Sequence, residues 1–154
     1  MSTAVEIREL TKRFGDFTAV DRVTLTVNAG ASVRVTDTAI RGNGGGITIS
    51  NGANATVTRA TITGNANVGV MVQGDLAGTN TAADIADSTL DANIRGVMAF
   101  SNNATANVKV SVRSSRIVQN NDFGAVAESM LGAPVSLTVS DNIISNSIWG
   151  VGSY

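Results

Sequence analysis

Carboxylates are the side chains of this chain best suited to catalysis. Glu128 directly follows Ala125-Val126-Ala127, and Asp37, Asp87 and Asp141 each stand two residues beyond a short alternating apolar stretch ending at Val35, Ile85 or Val139. Hydrolysis of a glycosidic bond needs two carboxyl groups at a defined separation. Asp87, Asp141 and Glu128 are therefore the catalytic candidates. The column containing the Asp residues reads Asp37, Arg59, Asp87, Ser114, Asp141. Only alternate repeats carry Asp, so neighbours stand about two strand spacings, roughly 10 Å, apart. No Asp-Asp pair and no Asn-Thr-Asp string occurs. The plainer reading makes these residues turn caps and leaves Glu128 a solvated side chain.

Aromatic spacing offers a second kind of chemistry. Phe123 and Trp149 each stand immediately before a recurring Gly, in a column that begins Gly45, Val68, Arg95. They should lie one above the other, and an exposed aromatic pair grips sugar rings by apolar stacking. Phe123 and Trp149 are the ligand-binding candidates; the plainer alternative is a packed pair covering the open end of a stack. Arg95, Lys109, Arg113 and Arg116 would meet an anionic glycan if they lined one side, and are otherwise a solvated face.

What is absent narrows the field. The chain has no His and no Cys, which removes Ser-His-Asp and Cys-His catalysis, disulfides and Cys-based zinc sites. No metal or cofactor is expected. A net charge of -1 supplies no basic field for nucleic acid. No run of eighteen apolar residues is present to span a membrane. Met1-Ser2-Thr3-Ala4-Val5-Glu6 lacks the basic and apolar segments of a secretory signal, so the chain as written reads as cytoplasmic.

The elements that must position these residues are repeats. Five times an aliphatic residue, two variable residues and Asn are followed by a short spacer, Gly and apolar residues: Ile40 to Asn43 and Gly46, Ile62 to Asn65 and Gly69, Leu90 to Asn93 and Gly96, Ile117 to Asn120 and Gly124, Ile143 to Asn146 and Gly150. Such a period marks a stacked supersecondary unit. Each period holds three short alternating stretches separated by turns, and no segment of the body carries a helical stripe. With 43% hydrophobic and 15% charged residues, the chain has ample material for a packed interior. The Asn series is expected to form a ladder between coils, and the Gly series to free the backbone where it bends.

The pattern resembles the right-handed parallel β-helix of the pectate-lyase-like superfamily over residues 23–154. The expected fold is all-β, a right-handed parallel β-helix of about five coils with three short strands per coil. Residues 1–22 are expected to form an N-terminal hairpin or cap. Within residues 5–30, Leu10-Thr11-Lys12-Arg13-Phe14-Gly15, Ala19-Val20-Asp21 and Val23-Thr24-Leu25-Thr26-Val27-Asn28-Ala29-Gly30 resemble the amino-terminal strands of ABC-transporter ATP-binding subunits. That family next requires a G-x-x-x-x-G-K-S/T phosphate loop. Gly42-Asn43-Gly44-Gly45-Gly46-Ile47-Thr48 has no Lys and already belongs to the repeat, so ATP hydrolysis is rejected.

These readings converge on a non-catalytic scaffold or binding module that recognises carbohydrate or a protein surface. The alternative is a divergent polysaccharide lyase or glycoside hydrolase acting on an acidic glycan through Asp87, Asp141 or Glu128. Trp149-Gly150-Val151-Gly152-Ser153-Tyr154 opens a further coil whose strand edge is unpaired, which predicts either a truncated chain or end-to-end self-association through the C-terminal coil.

Overall fold

The computed structural model describes residues 24–154 and the short strands Val5–Arg8, Arg13–Phe14 and Phe17–Thr18. The described residues contain strands and turns and no helix. Three parallel sheets wind into a β-solenoid with three strands per turn. The long sheet runs Thr24–Val27, Ile47–Ser50, Val68–Gly74, Arg95–Ser101, Phe123–Ser129, Trp149–Ser153. The middle sheet runs Ser32–Thr36, Asn54–Thr58, Asn80–Ala86, Asn107–Arg113, Val135–Ser140. The short sheet runs Ala39–Arg41, Thr61–Thr63, Thr89–Asp91, Arg116–Val118, Ile143–Ser145. The middle and short sheets thus show five levels, with about four turns between the first and the last. Val5–Arg8 pairs antiparallel with Thr24–Val27 at the outer edge of the long sheet. The N-terminal cap expected for residues 1–22 otherwise lies largely outside the described residues.

Alternation explains why these stretches form strands. In Asn107–Arg113 the residues Val108, Val110 and Val112 are buried while Asn107, Lys109 and Arg113 are exposed. Because the register is parallel, inward residues of successive turns stack directly: Val57 on Ile85 on Val112, Ile62 on Leu90 on Ile117, Val70 on Val97. All of these are at most 1% exposed. Each such aliphatic side chain contributes about 1.5 to 3 kcal/mol by leaving water. With few aromatics in the chain, these columns form the main core.

The chain turns at left-handed residues that repeat level by level. Between middle and short strands they are Asp37, Arg59, Asp87, Ser114 and Asp141, with φ of 52, 50, 51, 49 and 55°. After the short strands they are Gly42, Gly64, Ala92, Gln119 and Asn146, with φ of 68, 64, 51, 55 and 56°. A buried polar column follows each turn. In one, the Oδ1 atoms of Asn65, Asn93 and Asn120 each accept the backbone N–H and the side-chain Nδ2–H of the Asn one turn earlier, at 2.9–3.3 Å. In the other, Ala60 N–H donates to Ser88 Oγ, Ser88 N–H to Ser115 Oγ, and Ser115 N–H to Asn142 Oδ1. Both columns satisfy corner amides that no strand partner reaches.

The last repeat is displaced from the position the sequence pattern assigns to it. Ile144, not Ile143, pairs with Ile117, and Ser145 pairs with Val118. Asn146 therefore takes the exposed left-handed position of Gln119, and Ser147 follows where the column would continue. Ser147 Oγ is buried without a hydrogen-bond partner. The Gly column keeps its expected register, since Ile47, Val70, Val97, Ala125 and Val151 all align. A Cβ on Gly96 would stand 2.5 Å from Gly124 O and 2.6 Å from Ile117 Cγ2. Close approach of backbone to the next turn is what demands glycine there.

Asn93→Ala is expected to lower stability in denaturant unfolding by about 2 to 4 kcal/mol, because two buried donors on Asn65 lose their acceptor. Asn146→Gly should be within about 0.5 kcal/mol of the parent, since an exposed left-handed position suits glycine. Equal losses at both sites would contradict this register. Gly96→Ala should cost about 2 kcal/mol or more through overpacking against backbone, whereas Gly44→Ala, where nothing lies within 4 Å, should change little.

Candidate functional site

A Cβ on Gly46, Gly69, Gly96 or Gly124 would run into the backbone of the next turn, and at Gly69 and Gly96 into the Asn column as well. The backbone bends there, which turns the preceding residue outward on the long sheet. Val68, Arg95, Phe123 and Trp149 occupy that outward column, with Val68 registered on Arg95 and Phe123 on Trp149. The rings of Phe123 and Trp149 stack with centroids 6.3 Å apart and planes 23° apart. Tyr154 meets Phe123 edge-on at 5.6 Å. Gly152 makes this possible, because a Cβ there would collide with the Phe123 ring.

These rings rest on a second apolar cluster outside the main core. Val68, Met98, Phe123 and Val126 are buried together, with Met71 and Phe100 packed against them. Phe123 is only 5% exposed, while Trp149 is 58% and Tyr154 69% exposed. Arg95 runs along the same face. Its Nε donates to Asp122 Oδ2 at 2.9 Å, and its Nη1 lies 3.7 Å from Glu128 Oε2 and 3.2 Å from Met98 Sδ. The face therefore combines two open aromatic rings with one arginine held between two carboxylates.

The other expected site residues lie elsewhere. Asp87 and Asp141 line one shallow depression of about 460 Å³ with Ser114, Ser115 and Arg116, at the corner between the middle and short sheets. Both sit at the left-handed turn position. Glu128 belongs to the long sheet and is not part of that lining. The four basic residues do not line one side: Arg95 is on the long sheet, Lys109 and Arg113 on the middle sheet, Arg116 on the short sheet. Arg113 is moreover paired with Asp84 at 3.0 Å.

One exposed pair of the same turn column, Asp37 and Arg59, joins the first two levels. Arg59 donates from Nε and Nη2 to the two carboxylate oxygens of Asp37, each at 2.7 Å. That hydrogen-bonded guanidinium, with its charge, holds Asp37 below its ordinary pKa of 3.8. A lowered folded value means the pair contributes above pH 3.8 and is lost as pH falls through the folded value. Its exposure to solvent keeps that contribution small.

Two features escape the sequence pattern. Asp122 and Tyr154 complete the aromatic face through diagonal contacts between levels, although Asp122 stands next to Phe123 in the chain. A shallow groove of about 400 Å³, its surface mostly apolar, crosses the middle sheet past Asn54, Ala55, Ala82, Asp84 and Lys109. Small outward Ala82, registered on Asn54 and Lys109, opens it. Among the described residues, no group of three or more His, Cys, Asp or Glu is placed to hold a metal ion, and no helix is long and apolar enough to cross a membrane.

Comparison with known proteins is sparse. No family model matches the chain, and no solved structure matches it. A 26-residue stretch, 17% of this chain, is 69% identical to the spermidine/putrescine import ATP-binding protein PotA of Pseudomonas aeruginosa strain UCBPP-PA14. A stretch of 26 residues is likewise 69% identical to the spermidine/putrescine import ATP-binding protein PotA 2 of Pseudomonas aeruginosa strain PAO1. The match spans only 7% of either protein's length. The chain is thus similar over a short stretch to an import ATP-binding subunit.

Proposed function

We propose that residues 23–154 are a non-catalytic binding module, related in architecture to pectate-lyase-like β-helices, that takes a neutral carbohydrate on the outer face of the long sheet. The observation that carries this reading is the stacked pair of Phe123 and Trp149 with Tyr154 set edge-on beside it. Trp149 offers an open apolar ring, while buried Phe123 holds that ring in orientation and itself has little surface for a ligand. A pre-oriented ring loses little entropy when a sugar stacks on it. Asp122, Glu128 and Arg95 supply acceptors and a donor for hydroxyl groups at the rim. Their charges sum to -1, from two carboxylates and one guanidinium, so a uronate would meet repulsion. On this reading the asparagine ladder is a register device, and the ABC-like stretch brings no nucleotide function because no phosphate loop follows it.

Trp149 is the chain's only tryptophan, so its fluorescence reports on the site directly. Titration with neutral oligosaccharides should change its emission, and oligouronates should bind at least several-fold more weakly. Tyr154→Ala should weaken binding, and Trp149→Ala, followed by calorimetry, should lose about tenfold or more in affinity, equivalent to about 1.4 kcal/mol. Unchanged affinity in Trp149→Ala would remove this face as the site.

A divergent lyase or hydrolase remains the second reading, favoured only by the shared depression of Asp87, Asp141 and Arg116. Asp87 and Asp141 lie two levels apart, about 10 Å, against roughly 6.5 to 9.5 Å for inverting glycosidases. Assays for new reducing ends and for unsaturated products should show no turnover. Turnover abolished by Asp87→Asn or Asp141→Asn would overturn the binding-module reading.

A further inference from the structure

Asn43-Gly44 and Asn51-Gly52 are the Asn-Gly steps of the chain, and such a step can modify itself in water. The Gly nitrogen attacks the Asn side-chain amide readily, because Gly carries no side chain to obstruct it and its backbone turns freely. The nitrogen loses its proton and bonds to Cγ, the Cγ–Nδ2 bond breaks, and ammonia leaves. Water then opens the resulting succinimide ring at either carbonyl, giving Asp or isoaspartate. One water is consumed and one ammonia released, and nothing is oxidised or reduced.

The fold treats the two steps differently. At Asn51 both reacting groups are held. Gly52 N–H donates to the buried Thr81 Oγ1 at 2.9 Å, and Asn51 Oδ1 accepts the N–H groups of Asp75 and Leu76 at 2.9 and 3.1 Å. At Asn43 the nucleophile is loose. Gly44 is exposed, and among the described residues no acceptor meets its N–H. Nothing lies within 4 Å of a Cβ built on Gly44, so the peptide has room to turn its nitrogen toward Cγ. Asn43 is also the weakest rung of the buried column. It donates from N and Nδ2 to Asn65 Oδ1 at 3.1 and 3.2 Å, but its own Oδ1 has no partner. Asn65 and Asn93 both donate and accept. Fewer bonds make Asn43 cheaper to open locally than either of them.

We propose that Asn43 is a self-modification site, and that its conversion to Asp or isoaspartate releases the first turn from the asparagine column. The nitrogen that leaves is the one that donates to Asn65 Oδ1. A carboxylate oxygen in its place has no proton to offer and faces another acceptor in a buried position. Isoaspartate also reroutes the main chain through Cγ, which displaces the Asn43 carbonyl that accepts Ala66 N–H at 2.7 Å. Water alone drives the change, and it runs one way. The first turn therefore carries a chemical clock whose reading is the loss of one rung, separate from the aromatic face on later levels.

Peptide mapping by mass spectrometry, after incubation of the folded chain at mildly alkaline pH, tests this. Enzymatic methylation of isoaspartate gives a second readout. Asn43 should convert several-fold faster than Asn51 in the folded chain, and the two should convert at comparable rates in denaturant, where neither nitrogen is held. Amide exchange at Ala66 should quicken as Asn43 converts. Gly44→Ala should nearly abolish conversion of Asn43 and leave the fold unchanged, while Thr81→Val should speed conversion of Asn51 by freeing Gly52 N–H. The comparison of folded and denatured chain needs no variant, so it decides the matter if Thr81→Val does not fold. Asn43 left intact in the folded chain, over a time that converts it in denaturant, would overturn the inference. Equal folded-state rates at the two sites, or undiminished conversion in Gly44→Ala, would do the same.

Discussion

The molecule depends on keeping each turn directly above the previous one, and the buried asparagine column is the interaction that enforces this. Aliphatic columns exclude a one-residue slip, which would turn them to solvent, but not a slip by two, after which Val on Ile and Leu on Ile pack almost equally well. The amide side chains of Asn65, Asn93 and Asn120 do fix the register, since each Oδ1 must meet two donors of the preceding turn. A slip by two residues would leave those donors buried and unpaired, at a cost of about 1 to 3 kcal/mol each. The Ser88, Ser115 and Asn142 column does the same at a second corner. Polar residues inside this solenoid specify where the apolar ones stack.

That division of labour explains what the sequence disclosed. Strand period and repeat length were legible because a parallel stack repeats the same chemical demand at every level. Gly46, Gly69, Gly96 and Gly124 align because at each of these levels the backbone of the next turn leaves no room for a side chain. The last repeat was misread by one residue for an equally physical reason. Ile143 and Ile144 are adjacent and chemically equivalent, so the pattern cannot tell which faces inward. Pairing shows that Ile144 does, leaving Ile143 60% exposed. The Ser column was missed because serine at one level gives way to Ala60 or Asn142 at others, and only the shared hydrogen-bonding role repeats.

The candidate site was legible to the extent that it follows columns. Phe123 and Trp149 share one, so their stacking could be foreseen from spacing. Arg95, Asp122 and Glu128 meet diagonally across columns and levels, through the reach of a long guanidinium side chain. No periodic pattern encodes such a contact. The same column logic separates the carboxylates: Asp87 and Asp141 sit at a turn corner, Glu128 on a sheet face.

The aromatic face also has an energetic logic. Outward residues of a solenoid sheet normally meet water, yet Met98, Phe123 and Val126 are at most 5% exposed. They are buried by one another and by the rings of the next level, so the face carries a small core of its own. A side chain standing on such a base is held by packing rather than by a flexible loop. Trp149 is the upper surface of that cluster, open to solvent above and braced by Phe123 below. Strands anchored by the asparagine column keep this base rigid, so the buried register and the exposed ring are linked through the inward glycine that lies between them in each turn. A solenoid built this way can change its binding face at outward positions while its interior columns stay the same.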